Sequence, residues 1–362
     1  MTNRFLILGA GLIGASLGFE LARRKAQVTI LDAGLPANAA SGRSFGWINA
    51  SFFLNEDHFH LRHAAMAAHR RLERDLPDSG HLWTGTLWWE ETGEAFDQTA
   101  ATLTRLGYDL NELSAREIAA REPALGQPPA RALHFPAEGA VDAAHLTHHL
   151  LDAAAALGAE VWSGCPALRL MTDGDRVTGA ATPMGRIEAD QTILAIGNAT
   201  PALLASAGLH LPMLSRPGLI LRTRPLPPLV NHILASPDQE VRQDATGALL
   251  APASASHQSD KTEAVTESPG DLARATLARL SRLLPGANLQ PAAILHADRP
   301  VPGDGLPVVG PITVRPGLAL AVLHSGVTLA PLVTASLADE LTGQGAHALL
   351  APFRSDRLLS PL

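Results

Sequence analysis

Arg4-Phe5-Leu6-Ile7-Leu8 runs straight into Gly9-Ala10-Gly11-Leu12-Ile13-Gly14, and Gln27-Val28-Thr29-Ile30-Leu31 follows and ends on Asp32. Between them, residues 15–25 carry Leu17 and Leu21 at helical spacing and finish in Arg23, Arg24 and Lys25, cations suited to a helix C-terminus. Strand, glycine turn, helix, strand and acid therefore fall in the order of a dinucleotide-binding βαβ unit. Gly9 permits the tight turn, Gly11 lets backbone approach a pyrophosphate, and Gly14 lets helix pack on strand. The helix N-terminus offers oriented N–H groups and partial positive charge to phosphates. Asp32, 18 positions after Gly14, is placed to accept from a ribose diol, with Ala33 beside it. A tight turn in an ordinary α/β protein is the alternative that the glycines alone leave open.

Composition narrows the rest. A chain of 362 residues is long enough for two domains and a large core. It is 46% hydrophobic and 17% charged, which is globular, and its net charge of −7 with no basic run argues against nucleic acid. The lone Cys165 excludes an intramolecular disulfide, a cysteine metal site and an iron–sulfur cluster. No signal segment precedes the first strand, and no apolar run reaches the roughly 20 residues of a membrane span. These features lead to the expectation of a cytoplasmic protein. Of the fifteen histidines, His145 and His149 are one helical turn apart and share a face. No H-E-x-x-H pattern is present, and no metal is expected.

Further along, helical spacing covers residues 57–76, 94–106 and 114–122, the last opening on Ser114-Ala-Arg-Glu117 with capping-box spacing. Residues 82–90 read as a strand around a glycine. A second α/β signal starts at Asp142, with a helix to residue 157, a strand at 160–162, a pair of strands at 168–170 and 177–182, and a buried strand at 191–197. Residues 212–299 alternate short strands with Pro/Gly turns apart from a helix near 270–284. A last strand at 318–323 leads through His324-Ser325-Gly326 into a helix ending near residue 341.

With these motifs in place, the chain resembles the FAD-dependent amine oxidoreductases, the family of D-amino-acid oxidase, glycine oxidase, sarcosine oxidase and D-amino-acid dehydrogenase. The resemblance runs nearly end to end. It rests on the N-terminal glycine unit, on Ala40-Ser41-Gly42-Arg43-Ser44-Phe45-Gly46-Trp47, on Gly139-Ala140-Val141-Asp142 and on the strand from Thr192 to Gly197. The most specific pair is Arg299-Pro300-Val301-Pro302-Gly303-Asp304-Gly305-Leu306-Pro307 and His324-Ser325-Gly326-Val327-Thr328-Leu329-Ala330-Pro331. The resemblance implies an α/β fold: a Rossmann-like FAD-binding domain of the glutathione-reductase type, built from residues 1–77, 140–205 and 300–362. Residues 78–139 and 206–299 would form an inserted β-rich α+β substrate domain.

By the same resemblance, FAD lies along Gly9, Gly11, Leu12, Ile13, Gly14, Asp32, Ala33, Ser41, Arg43, Ser44, Gly46, Trp47, Ala167, Ala195, Gly197, Gly305, Ser325, Gly326, Val327 and Thr328. Sarcosine oxidases attach flavin through a cysteine near the C-terminal flavin loop; Cys165 is in another segment, so the FAD is expected to be noncovalent. Arg299 occupies the position of the family's carboxylate-binding arginine, whose planar fork matches a carboxylate. An arginine paired with Asp298 is the structural alternative. His324 falls where relatives place a polar group near substrate or flavin, and imidazole charge changes near neutral pH. The expected reaction is oxidative deamination of a small amino acid, D-configured or glycine-like, giving an imine and then a 2-oxo acid. A secondary amine, a nicotinamide dehydrogenase or a noncatalytic flavoprotein subunit are the competing readings. Quinone-linked relatives would add peripheral membrane contact, and the oligomeric state is open.

Beside the missing flavin-linking cysteine, one further departure from the family stands out. The substrate-domain tyrosine of D-amino-acid and glycine oxidases has no counterpart, because the only tyrosine, Tyr108, lies outside the corresponding strand at 239–243. Glu240 or Arg242 falls near that place. A carboxylate there would disfavour acidic substrate side chains, but a solvated charge on an edge strand is the favoured reading.

Overall fold

A computed structural model describes residues 3–254, 261 and 263–362. The parts of the expected 1–77 and 206–299 segments at residues 1–2, 255–260 and 262 lie outside the described residues. The opening unit forms as read: Arg4–Leu8, helix Leu12–Arg23 and Gln27–Leu31. Arg4–Leu8 sits inside a six-stranded sheet ordered Val308–Pro311, Leu318–Val322, Gln191–Leu194, Arg4–Leu8, Gln27–Leu31, Glu160–Trp162. All neighbours are parallel except the Val308–Pro311 hairpin edge. In register, Leu6 lies between Thr29 and Thr192.

After exposed Arg4 the first strand is apolar, Phe5 to Leu8, because both of its faces are covered. Phe5 and Ile7 join one core cluster, with Leu17 and Leu21 of the first helix and Leu329, Val333 and Leu337 of the closing helix Gly326–Leu341. Leu6 and Leu8 join another, against Leu170, Val177 and Ala180 of a three-stranded antiparallel sheet, Arg169–Asp173, Arg176–Thr182 and Gly185–Glu188. The layers are thus helices, parallel sheet and small antiparallel sheet. Three separated stretches of chain supply the central sheet, in keeping with the expected fold class.

Most of the remaining β-structure forms an eight-stranded sheet ordered Pro291–Asp298, Pro217–Thr223, Leu249–Pro252, Glu240–Gln243, Ile233–Ala235, Thr86–Trp88, Arg131–Phe135, Asn111–Ser114. One face carries Leu221, Val241, Leu249 and Ala251 toward helix Pro269–Leu283. The other carries Ile220, Leu250, Ile233 and Ala235 toward the first cluster. Two expectations need correction here. The strand read at 82–90 is two strands, His81–Leu82 and Thr86–Trp88, in different sheets, because the chain turns at Gly85 with φ +72°. Glu240 and Arg242 are not solvated edge charges: their strand has partners on both sides, and both residues are buried.

Helix Ala115–Arg121 has the expected capping box, with Ser114 and Glu117 exchanging hydrogen bonds. His145 and His149 stack 5.8 Å apart on helix Ala143–Ala156, their Nε2 atoms on the carbonyls of Asp78 and Pro77. Among the described residues no cluster of three His, Cys, Asp or Glu is arranged for a metal, and no helix is long and apolar enough to cross a membrane.

Candidate active site

Two cavities open at the carboxyl ends of the parallel strands, where the chain leaves the first strand in one direction and Gln191–Leu194 in the other. The smaller, about 620 Å³, is walled by Gly9, Ala33, Cys165, Ala167 and Ile196 among others. Asp32 stands at its rim but is already engaged: its carboxylate accepts from the N–H of Ala10 at 2.7 Å and of Gly34 at 2.8 Å. It therefore braces the glycine turn, with lone pairs left for a ribose. Close packing beneath the turn explains Gly14, since a Cβ there would fall 1.8 Å from the Gly9 carbonyl oxygen.

The larger cavity has about 1110 Å³ of open space, a size fit for an extended ligand. Of the expected residues, Leu12, Ile13, Ser41, Arg43, Ser44, Gly46, Trp47, Arg299, His324, Ser325, Gly326, Val327 and Thr328 line it. Gly11, Gly14, Asp32, Ala195, Gly197 and Gly305 are not among the lining residues of either cavity, Asp32 standing between Leu31 and Ala33 of the smaller. Gly11 is the N-cap of the first helix, and the Ala195 carbonyl packs against Gly9. Gly197 packs near Pro300 and Gly305 near Leu54.

Ser41 accepts the Leu12 N–H at 2.9 Å, which fastens the Ser41–Arg43 turn to the first helix and satisfies one of its free N-terminal donors. Beyond it the chain passes Gly46 at φ +77°, where a Cβ would lie 2.1 Å from the Val141 carbonyl oxygen. Trp47 is held from two sides. Its Nε1 donates to Glu138 at 3.0 Å, and its carbonyl accepts from Thr328 of the closing helix at 3.1 Å. Glu138 is fully buried and also accepts from Ser51 N–H and the Tyr108 hydroxyl. Burial pushes its pKa up against the pull of those donors. Burial, then Glu138, raises the Tyr108 phenol well above its ordinary value.

Two cations and a neutral imidazole of this region escaped the sequence reading or were misjudged by it. Arg242 is buried, donates from Nε to the Phe45 carbonyl, and lies 5.6 Å from the Phe45 ring centroid. Arg62, on helix Glu56–Asp75, is 1% exposed and lines the cavity. Its Nε donates to the Asn49 carbonyl at 3.1 Å, Nη2 to Asn49 Oδ1 and Nη1 to Ser325 Oγ. Desolvation brings both guanidinium pKa values down to about 10, which leaves them charged at neutral pH. The third, His69, lies under the closing helix and contacts the Val327 carbonyl at 2.8 Å. The missed signal is positional: on Glu56–Asp75 the buried stripe runs through Phe59, Arg62, Met66 and His69, so these polar residues fall on the apolar face.

Ser325 itself is a non-glycine residue at φ +60°, the N-cap of the closing helix, whose first-turn N–H groups border the cavity. Such a conformation in a non-glycine residue is costly, and strain of this kind clusters at functional sites. Half-buried His324 precedes it. Arg299 enters from the end of Pro291–Asp298, with its backbone N–H on the Arg216 carbonyl at 2.9 Å and its side-chain carbons alongside Gly218.

Among the described residues no Asp or Glu lines either cavity, whereas Arg43, Arg62, Arg299 and His324 line the larger. A glycine turn, two helix N-termini and a cationic, acid-free cleft fit an anionic dinucleotide that spans both cavities. The fold and the site thus define a dinucleotide-dependent protein with a second, eight-stranded sheet beside its parallel one. Residues 4–340 match the family described as FAD dependent oxidoreductase, and the chain belongs to that family. FAD is its cofactor, and the protein is an oxidoreductase. It is 28% identical to the glycine oxidase of Pseudomonas aeruginosa over 98% of both chains. The crystal structure of glycine oxidase from Geobacillus kaustophilus superposes with a TM-score of 0.87 at 26% identity, over 98% of this chain and 99% of that one. A D-amino acid dehydrogenase of Xylella fastidiosa is 28% identical over 60% of this chain and 64% of its own.

Proposed function

We propose that the protein oxidises a small amino acid, D-configured or glycine-like, at its Cα–N bond, releasing an imine that hydrolyses to a 2-oxo acid. The observation that carries this reading is the meeting of Arg299 and His324 with the distant segment 41–47 on one cavity, bounded also by 325–328. The names of the relatives, glycine oxidase and D-amino acid dehydrogenase, point to the same substrate class.

In this reading residues 1–77, 140–205 and 300–362 hold FAD and residues 78–139 and 206–299 form the substrate side. Gly9, Gly11, Leu12, Ile13 and Gly14 receive the pyrophosphate. Asp32, Ala33 and Ala167 flank the adenosine, with Ala195 and Gly197 closing the strand end. Ser41, Arg43, Ser44, Gly46, Trp47, Gly305 and Ser325 to Thr328 surround the flavin half, which is held without a covalent bond. Bound FAD supplies the hydride acceptor. The chain supplies orientation. Arg299 clamps the substrate carboxylate through its two-pronged guanidinium, and His324 gives a second polar contact at that edge. Phe45, Trp47, Leu219 and Ile220 give the cavity apolar walls that keep water from the reacting carbon.

The test is anaerobic mixing of the flavoprotein with a panel of glycine, D- and L-amino acids and N-methyl amino acids. Glycine or a small D-amino acid should bleach the flavin absorbance and yield ammonia and a 2-oxo acid on reoxidation. A flavin that no amine bleaches would sink the reading, and bleaching by secondary amines alone would replace the substrate class.

A further inference from the structure

We propose that Arg62 is a built-in cation for the pyrimidine edge of the flavin, which stabilises the charge that hydride transfer leaves there and raises the flavin's midpoint potential. The proposal rests on the FAD assignment and not on the choice of amine. Its first support is the way the side chain is held. Asn49 takes two of the three guanidinium nitrogens and Ser325 the third, so the fork is fixed at the start of the closing helix. The second is charge balance. Among the described residues no carboxylate lies within ion-pair distance of Arg62. The acid felt most strongly, Glu138, already serves Trp47, Ser51 and Tyr108. A buried guanidinium with no anion beside it is costly, and an anion carried by the cavity's occupant would relieve that cost.

Three anionic groups enter here: the FAD pyrophosphate, proposed at the glycine turn of residues 9–14, to which Arg62 makes no hydrogen bond, the substrate carboxylate, and the flavin ring once it has accepted a hydride. Location separates the last two. Arg299 arrives from the eight-stranded sheet beside Gly218, on the substrate side. Arg62 is tied to Ser325, next to Gly326, whose nearest outside neighbour is Ile13 of the dinucleotide-binding helix. Arg62 therefore belongs to the cofactor side, where the closing helix adds its own partial positive charge. When hydride reaches N5, one negative charge spreads over N1 and C2=O, and a cation at that edge favours it. Sulfite adds at N5 with the same redistribution of charge and so reads the effect without any substrate.

The experiment compares wild-type holoprotein with Arg62→Met and Arg62→Lys by sulfite titration and by potentiometry. Sulfite should bind at least tenfold more weakly to Arg62→Met. An equal weakening of reduction corresponds to a fall of about 30 mV for a two-electron couple. Arg62→Lys should recover most of both. If Arg62→Met fails to retain FAD, Arg62→Gln replaces it, a neutral side chain that can still bond Asn49 and Ser325. Unchanged sulfite affinity and potential in the neutral variant overturn the proposal. So does loss of acetate binding at unchanged potential, which would move Arg62 to the substrate carboxylate.

Discussion

Arginine stands at four points around one cavity region, and each guanidinium meets a different demand. Arg43 is half-exposed and reaches only Asn38, at 3.4 Å. Arg242 spends its Nε on the backbone beside Gly46, and Arg62 is locked to Asn49 and Ser325. Arg299, whose Nε donates to the Arg216 carbonyl at 3.3 Å, is the one proposed to meet substrate. Arg299→Ala should raise KM and lower kcat/KM by about 2–4 kcal/mol equivalent, with FAD retained, since a charged hydrogen-bonding partner of a carboxylate is lost. Steady-state kinetics with the substrate found above decide it, and unaltered constants would remove Arg299 from the site. Arg299 and His324 were legible because each sits beside a Pro- or Gly-marked turn whose backbone role is written in residue type. Arg62 was not, because an arginine inside a helical stretch reads as solvated unless its place on the apolar stripe is counted. Arg242 was misread for a related reason: whether a short strand is edge or interior depends on partners far away in sequence.

At the level of elements, a row of polar groups docks helix Glu56–Asp75 against the closing helix. Ser79, His81, His69 and the Val327 carbonyl form one chain of hydrogen bonds, at 2.8, 2.9 and 2.8 Å. The carbonyl can only accept, so His69 donates from Nε2 and accepts at Nδ1, His81 donates from Nε2, and Ser79 donates to His81 Nδ1. Both imidazoles must then be neutral. Burial drives His69 down to about 3 and His81 to about 4. Their depressed folded-state pKa values mean the stabilisation is complete above the unfolded value near 6.5 and is lost as pH falls toward 3. His69→Gln should therefore flatten the dependence of stability on pH between about 6 and 4 by up to one proton, about 1.4 kcal/mol per pH unit. Urea denaturation across that range measures it, and an unchanged slope would show that His69 does not report on acid unfolding. The helix itself was readable from periodicity, and it stops at Asp75, just before Pro77. Its polar docking was not, since the partner helix begins some 250 positions later.

For the molecule as a whole, FAD placed as proposed would bridge the parallel sheet, the first helix and the closing helix, so its loss should loosen all three together. A ligand that binds only the folded state at a thousandfold excess over Kd adds about 4 kcal/mol. Stripping FAD should lower Tm by several degrees, and adding it back should restore the value, as followed by scanning fluorimetry with flavin and tryptophan signals. Identical melting of stripped and loaded protein would mean that FAD does not hold these layers. The three-layer core was foreseeable, because doubly covered strands are written as unbroken apolar runs such as residues 5–8 and Leu318–Val322.

The order of the central strands also carries a consequence in time. Arg4–Leu8 leaves the ribosome first yet finds one flank only in Gln191–Leu194, which in turn awaits Leu318–Val322. Until then the glycine turn has no opposite wall and nothing beyond the bare βαβ hook with which to grip a nucleotide. Secure capture of the flavin is thus expected only after Leu318–Val322 is made, and the nascent chain must keep two apolar strand flanks from wrong partners until then.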